Sequence, residues 1–194
     1  MMNAMTTPQN EVALRILKAA DELMAKVGMH NISTHKIAKE AGVSVGTIYL
    51  YFKDKDDLLN KLVVYLFESY QQYIQELYDP RRDLFEQYQI FWRFSFEFMR
   101  ENPNVLSNWY QYQSLPGYRE LMQSCMARDD LVWSRFIKAG QTQGIIANLD
   151  AHLMFVMTIK VAWEVIQLQA MLDKTYSDEE IDQIIQRTWK AMTI

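Results

Sequence analysis

Apolar residues recur at three- and four-residue intervals from near the start of the chain. Val12, Ile16, Leu17, Ala20, Leu23, Met24 and Val27 fall on one helical stripe, and Gly28 follows as a stop. Ser33 or Thr34 then offers an N-cap to a short second helix, HKIAKEA, whose apolar side is Ile37, Ala38 and Ala41. Gly42 supplies the left-handed residue that a sharp turn after that helix requires, and Ser44 caps a third helix. Two short helices joined by a three-residue turn with glycine form a helix-turn-helix, whose second helix can enter a major groove. Ile48 and Phe52 have the spacing of inward-facing residues. Gly46 lies in the first turn of the third helix, at a penalty of about 1 kcal/mol relative to alanine. Close approach of the backbone to a partner explains it.

Beyond Leu58 no low-complexity linker intervenes: a fourth helix is expected from about residue 56 to 78, ending at Asp79-Pro80. Further helices are expected at about 83–101, 103–113, 117–143, 150–173 and 178–191, with Asn102-Pro103, Leu115-Pro116-Gly117 and Gly144 as breaks. Apolar residues occupy nearly every side of 150–173, so a partner must cover part of it. The last helix opens on the capping-box pattern Ser177 to Glu180 and carries a stripe of Ile181, Ile184, Ile185, Thr188 and Trp189. The expected fold is all-α, with a three-helix unit over 1–58 and an all-helical domain over 59–194.

Composition agrees: hydrophobic residues are 49% of the 194 and charged ones 23%, while Gly (6) and Pro (4) are too scarce for a turn-rich β fold. The single cysteine, Cys125, cannot form an intrachain disulfide, and MMNAMTTPQN has no apolar run of signal-peptide length. A cytoplasmic protein is expected. The most apolar run, LMFVMTI, stops at Lys160, short of the roughly 20 residues of a membrane span. His30, His35, His152 and Cys125 show no metal-ligand spacing, so no metal, cofactor or catalytic residue is expected and an enzyme is disfavoured. Net charge is −4, yet residues 1–60 hold seven basic and seven acidic side chains. Nucleic-acid binding must then rely on a few placed lysines, helix N-termini and dimerisation rather than on a broadly positive surface.

The stretch IAKEAGVSVGTIYLYFKDKDDLL resembles the DNA-binding signature of the TetR/AcrR transcriptional regulators, and the likeness covers about the first 60 residues. It combines the turn, the Thr-hydrophobe-Tyr core of the recognition helix, the Tyr51-Phe52 pair and the lysine before the next helix. The resemblance implies a DNA-binding domain followed by a helical ligand-binding and dimerisation domain. The candidate DNA-contacting residues are His35, Lys36, Ser44, Val45, Gly46, Thr47, Tyr49, Tyr51 and Lys55. Of these, the resemblance implies base contacts around Val45, Gly46, Thr47 and Tyr49 and a basic residue that reaches DNA in many relatives at the place of His35. Thr47 and Tyr49 carry hydroxyls that can bond phosphates or base edges, and the Thr methyl can pack on a thymine methyl. Val45 offers only apolar contact, and Lys55 should bind phosphate.

The second domain is rich in large aromatics, and residues 91, 92, 94, 96 and 98 cannot share one face of a helix. Either that helix is buried all round or some rings line a cavity, as the resemblance implies for a small hydrophobic effector. Trp92, Phe96, Trp109, Tyr112, Trp133 and Trp163 are the candidate lining, with Lys160 and Glu164 as the polar candidates. Glu164 could recognise a cation, Lys160 an acid, or the two could form an i to i+4 ion pair. Val156, Val165, Ile181, Ile184, Ile185 and Trp189 are the candidate homodimer interface. The implied function is a homodimeric repressor on palindromic double-stranded operator DNA, released by the effector. The alternative is a helical dimeric interaction or small-molecule-binding module without sequence-specific DNA binding.

Overall fold

The computed structural model describes residues 8–194, so the expectation of no signal sequence falls partly on residues outside that range. The elements run α1 (Pro8–Val27), a 3₁₀ turn (Met29–Asn31), α2 (Thr34–Ala41), α3 (Val45–Tyr51), α4 (Lys55–Leu77), α5 (Leu84–Glu101) and α6 (Pro103–Gln113). There follow α7 (Tyr118–Met126), α8 (Val132–Thr142), α9 (Ala151–Met157), α10 (Ile159–Leu172) and α11 (Asp178–Met192). Apart from one isolated β-bridge, Ile146 with Thr193, the regular structure among the described residues is helical. The chain forms two compact units. The first takes residues up to Glu68 together with Ser107–Met126, and the second takes Ser69–Leu106 and Ala127–Ile194.

In the first unit Ile16, Ala20 and Met24 of α1, Ile37 of α2, Ile48 of α3 and Leu58, Leu59 and Leu62 of α4 bury their side chains in one core. Tyr112 and Leu115 join that core from a distant part of the chain. A partly buried polar network holds them there. The Asn108 amide donates to the Asp21 carbonyl at 2.9 Å and to its carboxylate at 2.7 Å, and the Tyr112 hydroxyl donates to the same carboxylate. Gln111 accepts from the Met29 N–H at 2.6 Å and donates to Asn108 at 2.9 Å. Groups left unpaired in such a place would each cost about 1–3 kcal/mol, so the set holds or fails together.

The second unit is built around α5, whose rings reach several neighbours. Phe91 meets Phe136 of α8 edge-on at 5.4 Å, Phe94 and Phe98 lie 5.5 and 5.4 Å from Tyr70 of α4, and Tyr88 lies 5.4 Å from Trp189 of α11. The aromatics of α5 thus pack against more than one neighbour, with Phe91 and Trp92 buried and Phe94, Phe96 and Phe98 half-buried. Buried Gln87 caps the end of α4, donating to the Leu77 carbonyl at 3.2 Å and accepting from the Asp79 N–H at 2.9 Å.

Two expected helices are each divided. Residues 117–143 break after Met126, where the Arg128 guanidinium forks onto Asp130 at 3.0 Å and holds its carboxyl below the usual range. Residues 150–173 break at Thr158, whose fully buried hydroxyl donates to the Met154 carbonyl at 2.6 Å and competes with the helical ladder.

Burial raises the phenols of Tyr70, Tyr88 and Tyr112 above their ordinary value, and the Asp21 carboxylate raises Tyr112 further. A raised folded-state pKa gives a contribution that is complete below about pH 10, where unfolded tyrosine ionises, and is lost as pH climbs past it. Phenolate absorbance followed alongside the helical circular dichroism will show these three tyrosines ionising only as the helix signal collapses. Their ionisation in the intact fold would contradict the burial assigned to them.

Candidate nucleic-acid interface

The turn between α2 and α3 is fixed by local hydrogen bonds. Ser33 accepts the Lys36 N–H at 3.3 Å to open α2. Gly42 closes it at φ 63°, with its own N–H on the Lys39 carbonyl at 3.3 Å and the Val43 N–H on Ala38 at 2.9 Å. Ser44 then opens α3, accepting the Thr47 N–H at 3.0 Å while its hydroxyl bonds the Thr47 hydroxyl at 2.8 Å. Ile48 and Phe52 are buried as their spacing predicts, which fixes the roll of α3 on the core.

That roll turns the remaining positions outward. Ser44, Gly46 and Tyr49 are exposed, and Val45, Thr47 and Tyr51 are half-buried. A Cβ on Gly46 would meet only the Ser44 hydroxyl, at an ordinary 3.6 Å. Nothing inside the chain therefore requires glycine there. His35 and Lys36 are exposed at the start of α2, and the Tyr49 hydroxyl lies 3.5 Å from that of Thr34, so the start of α2 and the face of α3 share one surface. Leu50, outside the expected set, is 81% exposed on the same helix. Its position opposite Ile48 on the helical wheel was a readable signal.

The charged groups beside α3 are anchored. Lys36 donates to the Asn31 carbonyl at 2.7 Å. Lys61, also outside the expected set, donates to the Tyr51 carbonyl at 3.2 Å and to Asp57 at 3.0 Å, with its ammonium 5.4 Å from the Phe52 ring centre. Partial burial works to raise the Asp57 carboxyl, but the Lys53 N–H and Lys61 hold it below its ordinary value. Lys55 is half-buried as the first residue of α4. Lys26, paired with Glu40 at 3.0 Å, is spent on an ion pair within the unit. The surface can bond phosphates and base edges through a small number of positioned groups.

The candidate effector residues divide between the units. Trp109 and Tyr112 belong to the first, where Tyr112 is committed to Asp21. In the second, Trp133 and Trp163 are joined through Phe155, at 6.0 and 5.5 Å, and Trp92 stacks on Phe96 at 5.7 Å. The Trp92 indole N–H is buried without a hydrogen-bond partner, whereas that of Trp133 donates to the Ala151 carbonyl at 2.7 Å. Lys160 and Glu164 pair with each other at 3.6 Å, and the Glu164 side chain is 56% exposed.

The candidate dimer residues also separate. Val165, Ile181 and Ile185 are buried within the unit's own core, Ile184 is half-buried, and Trp189 packs on Phe85 and Tyr88. Val156 faces outward, 56% exposed, with Leu153 and Met157 of α9 and Leu168, Met171 and Leu172 of α10. Of the expected set, Val156 lies on this exposed apolar surface of α9 and α10. By length and composition alone, Ala151–Leu172 could span a bilayer, but it is broken at Thr158. Among the described residues no group of three or more His, Cys, Asp or Glu is placed to hold a metal.

Comparison with known proteins matches both parts of the chain. Residues 16–62 fit the family described as bacterial regulatory proteins, tetR family, and residues 83–193 fit a tetracyclin repressor-like C-terminal domain. An uncharacterised helix-turn-helix-type transcriptional regulator of Haemophilus influenzae is 34% identical over 97% of this chain and 99% of its own. The crystal structure of a TetR-family regulator from that organism superposes with a TM-score of 0.89 at 33% identity, covering 97% of this chain and all of that one. The transcriptional regulator FadR of Bacillus subtilis, crystallised with stearoyl-CoA, has a TM-score of 0.71 at 26% identity, over 90% of this chain and 96% of its own.

Because no internal contact excludes a methyl group at position 46, Gly46→Ala will raise stability by up to about 1 kcal/mol through helix propensity. The same methyl will weaken DNA binding by about 1–3 kcal/mol. Thermal melting and a DNA mobility shift on the same preparation check both signs, and unchanged DNA affinity would show that the backbone does not approach the groove at this point.

Proposed function

From the premise that the chain belongs to the TetR family, a family of DNA-binding transcriptional regulators, we propose that it acts as a homodimeric repressor. Residues 1–58 form its reader, which takes palindromic operator DNA, and the rest of the chain binds a small apolar effector and a second copy. The observation that carries the reading is α3: Ser44 caps it, Ile48 and Phe52 anchor it, and Gly46, Thr47 and Tyr49 line its outer side. His35, Lys36 and Lys55 serve as phosphate contacts that set its register. The protein works by binding rather than by catalysis, in the compartment that holds the DNA.

A second copy is the proposed cover for the apolar face of α9 and α10. Leaving Met171 at 72% and Leu153 and Val156 each at 56% exposure is unfavourable in water, and a twofold contact buries the same patch on both copies. Twofold symmetry then places two recognition helices on half-sites about one DNA turn apart or somewhat more.

The effector is proposed to be uncharged where it meets the interior, in the manner of an acyl chain. The buried polar residues of the second unit, Gln87, Ser95 and Thr158, are all neutral, and Glu164 is turned outward to Lys160. A lipophilic cation would find no buried carboxylate among the described residues there. The stearoyl-CoA complex of the Bacillus subtilis regulator points to the same class. To repress and release, the effector has to bind the non-reading state more tightly than the reading one.

Three outcomes follow. Thr47→Ala and Tyr49→Phe will each weaken operator binding by about 1–3 kcal/mol with the melting midpoint nearly unchanged; wild-type affinity in both would remove α3 as the reader. Val156→Glu combined with Met171→Glu will give a monomer by sedimentation and lower operator affinity by about two orders of magnitude, whereas a persistent dimer would place the interface elsewhere. Palmitoyl-CoA will release a labelled operator and tetraphenylphosphonium will not; the reverse order would overturn the uncharged-effector reading.

A further inference from the structure

The outward ridge of α3 carries a residue that hydrogen-bond readout cannot use. With about 100° of turn per residue, Gly46 and Leu50 lie about 160° and 200° around the helix from the buried Ile48, so they stand one turn apart on the side facing away from the core. Tyr49 and Thr47 flank this ridge to either side. Leu50 is 81% exposed, well above Tyr49 at 54% on the same helix. A single exposed leucine is ordinary on a protein surface. Its place on the ridge makes this one informative, because Gly46 on the same line is not required by any contact within the chain. Glycine there leaves the ridge one side chain lower beside Leu50.

We propose that Leu50 is a specificity-determining residue that reads the 5-methyl group of a thymine in each operator half-site. The inference rests on the DNA-reading function proposed above. Leucine has no donor or acceptor, and the thymine methyl is the apolar feature that base-pair edges display in the major groove. Burying the two against each other favours T over C at that base through apolar contact alone. With Val45 nearby on α3 this gives a reader whose discrimination is apolar as well as polar. That suits a unit in which acidic and basic side chains balance.

The test uses the full chain and a selection from random-sequence duplexes. On the operator so obtained, each thymine of the half-site is replaced in turn by deoxyuridine, which removes only the methyl group. Affinities are measured for the wild type and for Leu50→Ala, whose fold is checked by thermal melting. One thymine position will show a wild-type loss of about fourfold per half-site on methyl removal, and Leu50→Ala will lose a similar factor while becoming indifferent to that replacement. The salt dependence of binding will be the same for both proteins, since no phosphate contact is removed. An equal loss for Leu50→Ala on every duplex, with no deoxyuridine effect in the wild type, would set Leu50 against the sugar backbone and overturn the proposal. So would wild-type affinity in Leu50→Ala. Failure of the wild type to select any sequence would instead strike the DNA-reading function itself, and this inference with it.

Discussion

The first unit depends on a partly buried carboxylate. Asp21, on α1, takes hydrogen bonds from Asn108 and Tyr112, which lie 87 and 91 residues farther along the chain. Gln111, one position before Tyr112, reaches the chain just past α1, where it accepts the Met29 N–H. Asn108 is fully buried, so water cannot readily replace a partner that it loses. The consequence is structural commitment: the end of α6 and all of α7 belong with the helix-turn-helix, although most of a second domain's sequence precedes or follows them. Helix α6 starts in one compact unit and finishes in the other, as α4 does.

What was readable from sequence was mostly local. Ser33, Gly42, Ser44 and Ser177 all cap where their neighbours predict, because a cap is a contact between residues two to four positions apart. Ile48 and Phe52 were legible for the same reason: periodicity alone separates the inner side of a short helix from its outer side. The break at Thr158 was not, since a buried threonine and a surface one look alike until the hydroxyl is seen to bond its own backbone. Tyr112 looks in sequence like one more member of an aromatic set, and its place in the first unit rests on core packing and a contact with Asp21, both made with residues far away in the chain.

The apolar helices near the carboxyl terminus show a further limit. Residues 150–173 are hydrophobic on several sides, and the pattern shows that more than one face must be covered without showing by what. Val165 turns to the core while Met171 and Leu172 turn outward. In α11 the stripe of Ile181 and Ile185 serves the protomer's own interior. A stripe of equal hydrophobicity can thus be core or interface, and its neighbours in space decide. Charge was more informative. A reader with balanced acidic and basic side chains cannot hold DNA by a diffuse field, so its affinity has to come from placed groups and from doubling the head.

Footprinting of the full-length protein on an operator drawn from random duplexes tests the central claim most directly. The account predicts two related half-sites, protected in successive major grooves on one face of the duplex and resistant to competitor DNA. Binding that selects no sequence, or that protects a single unpaired site, would contradict a dimeric reader built on α3.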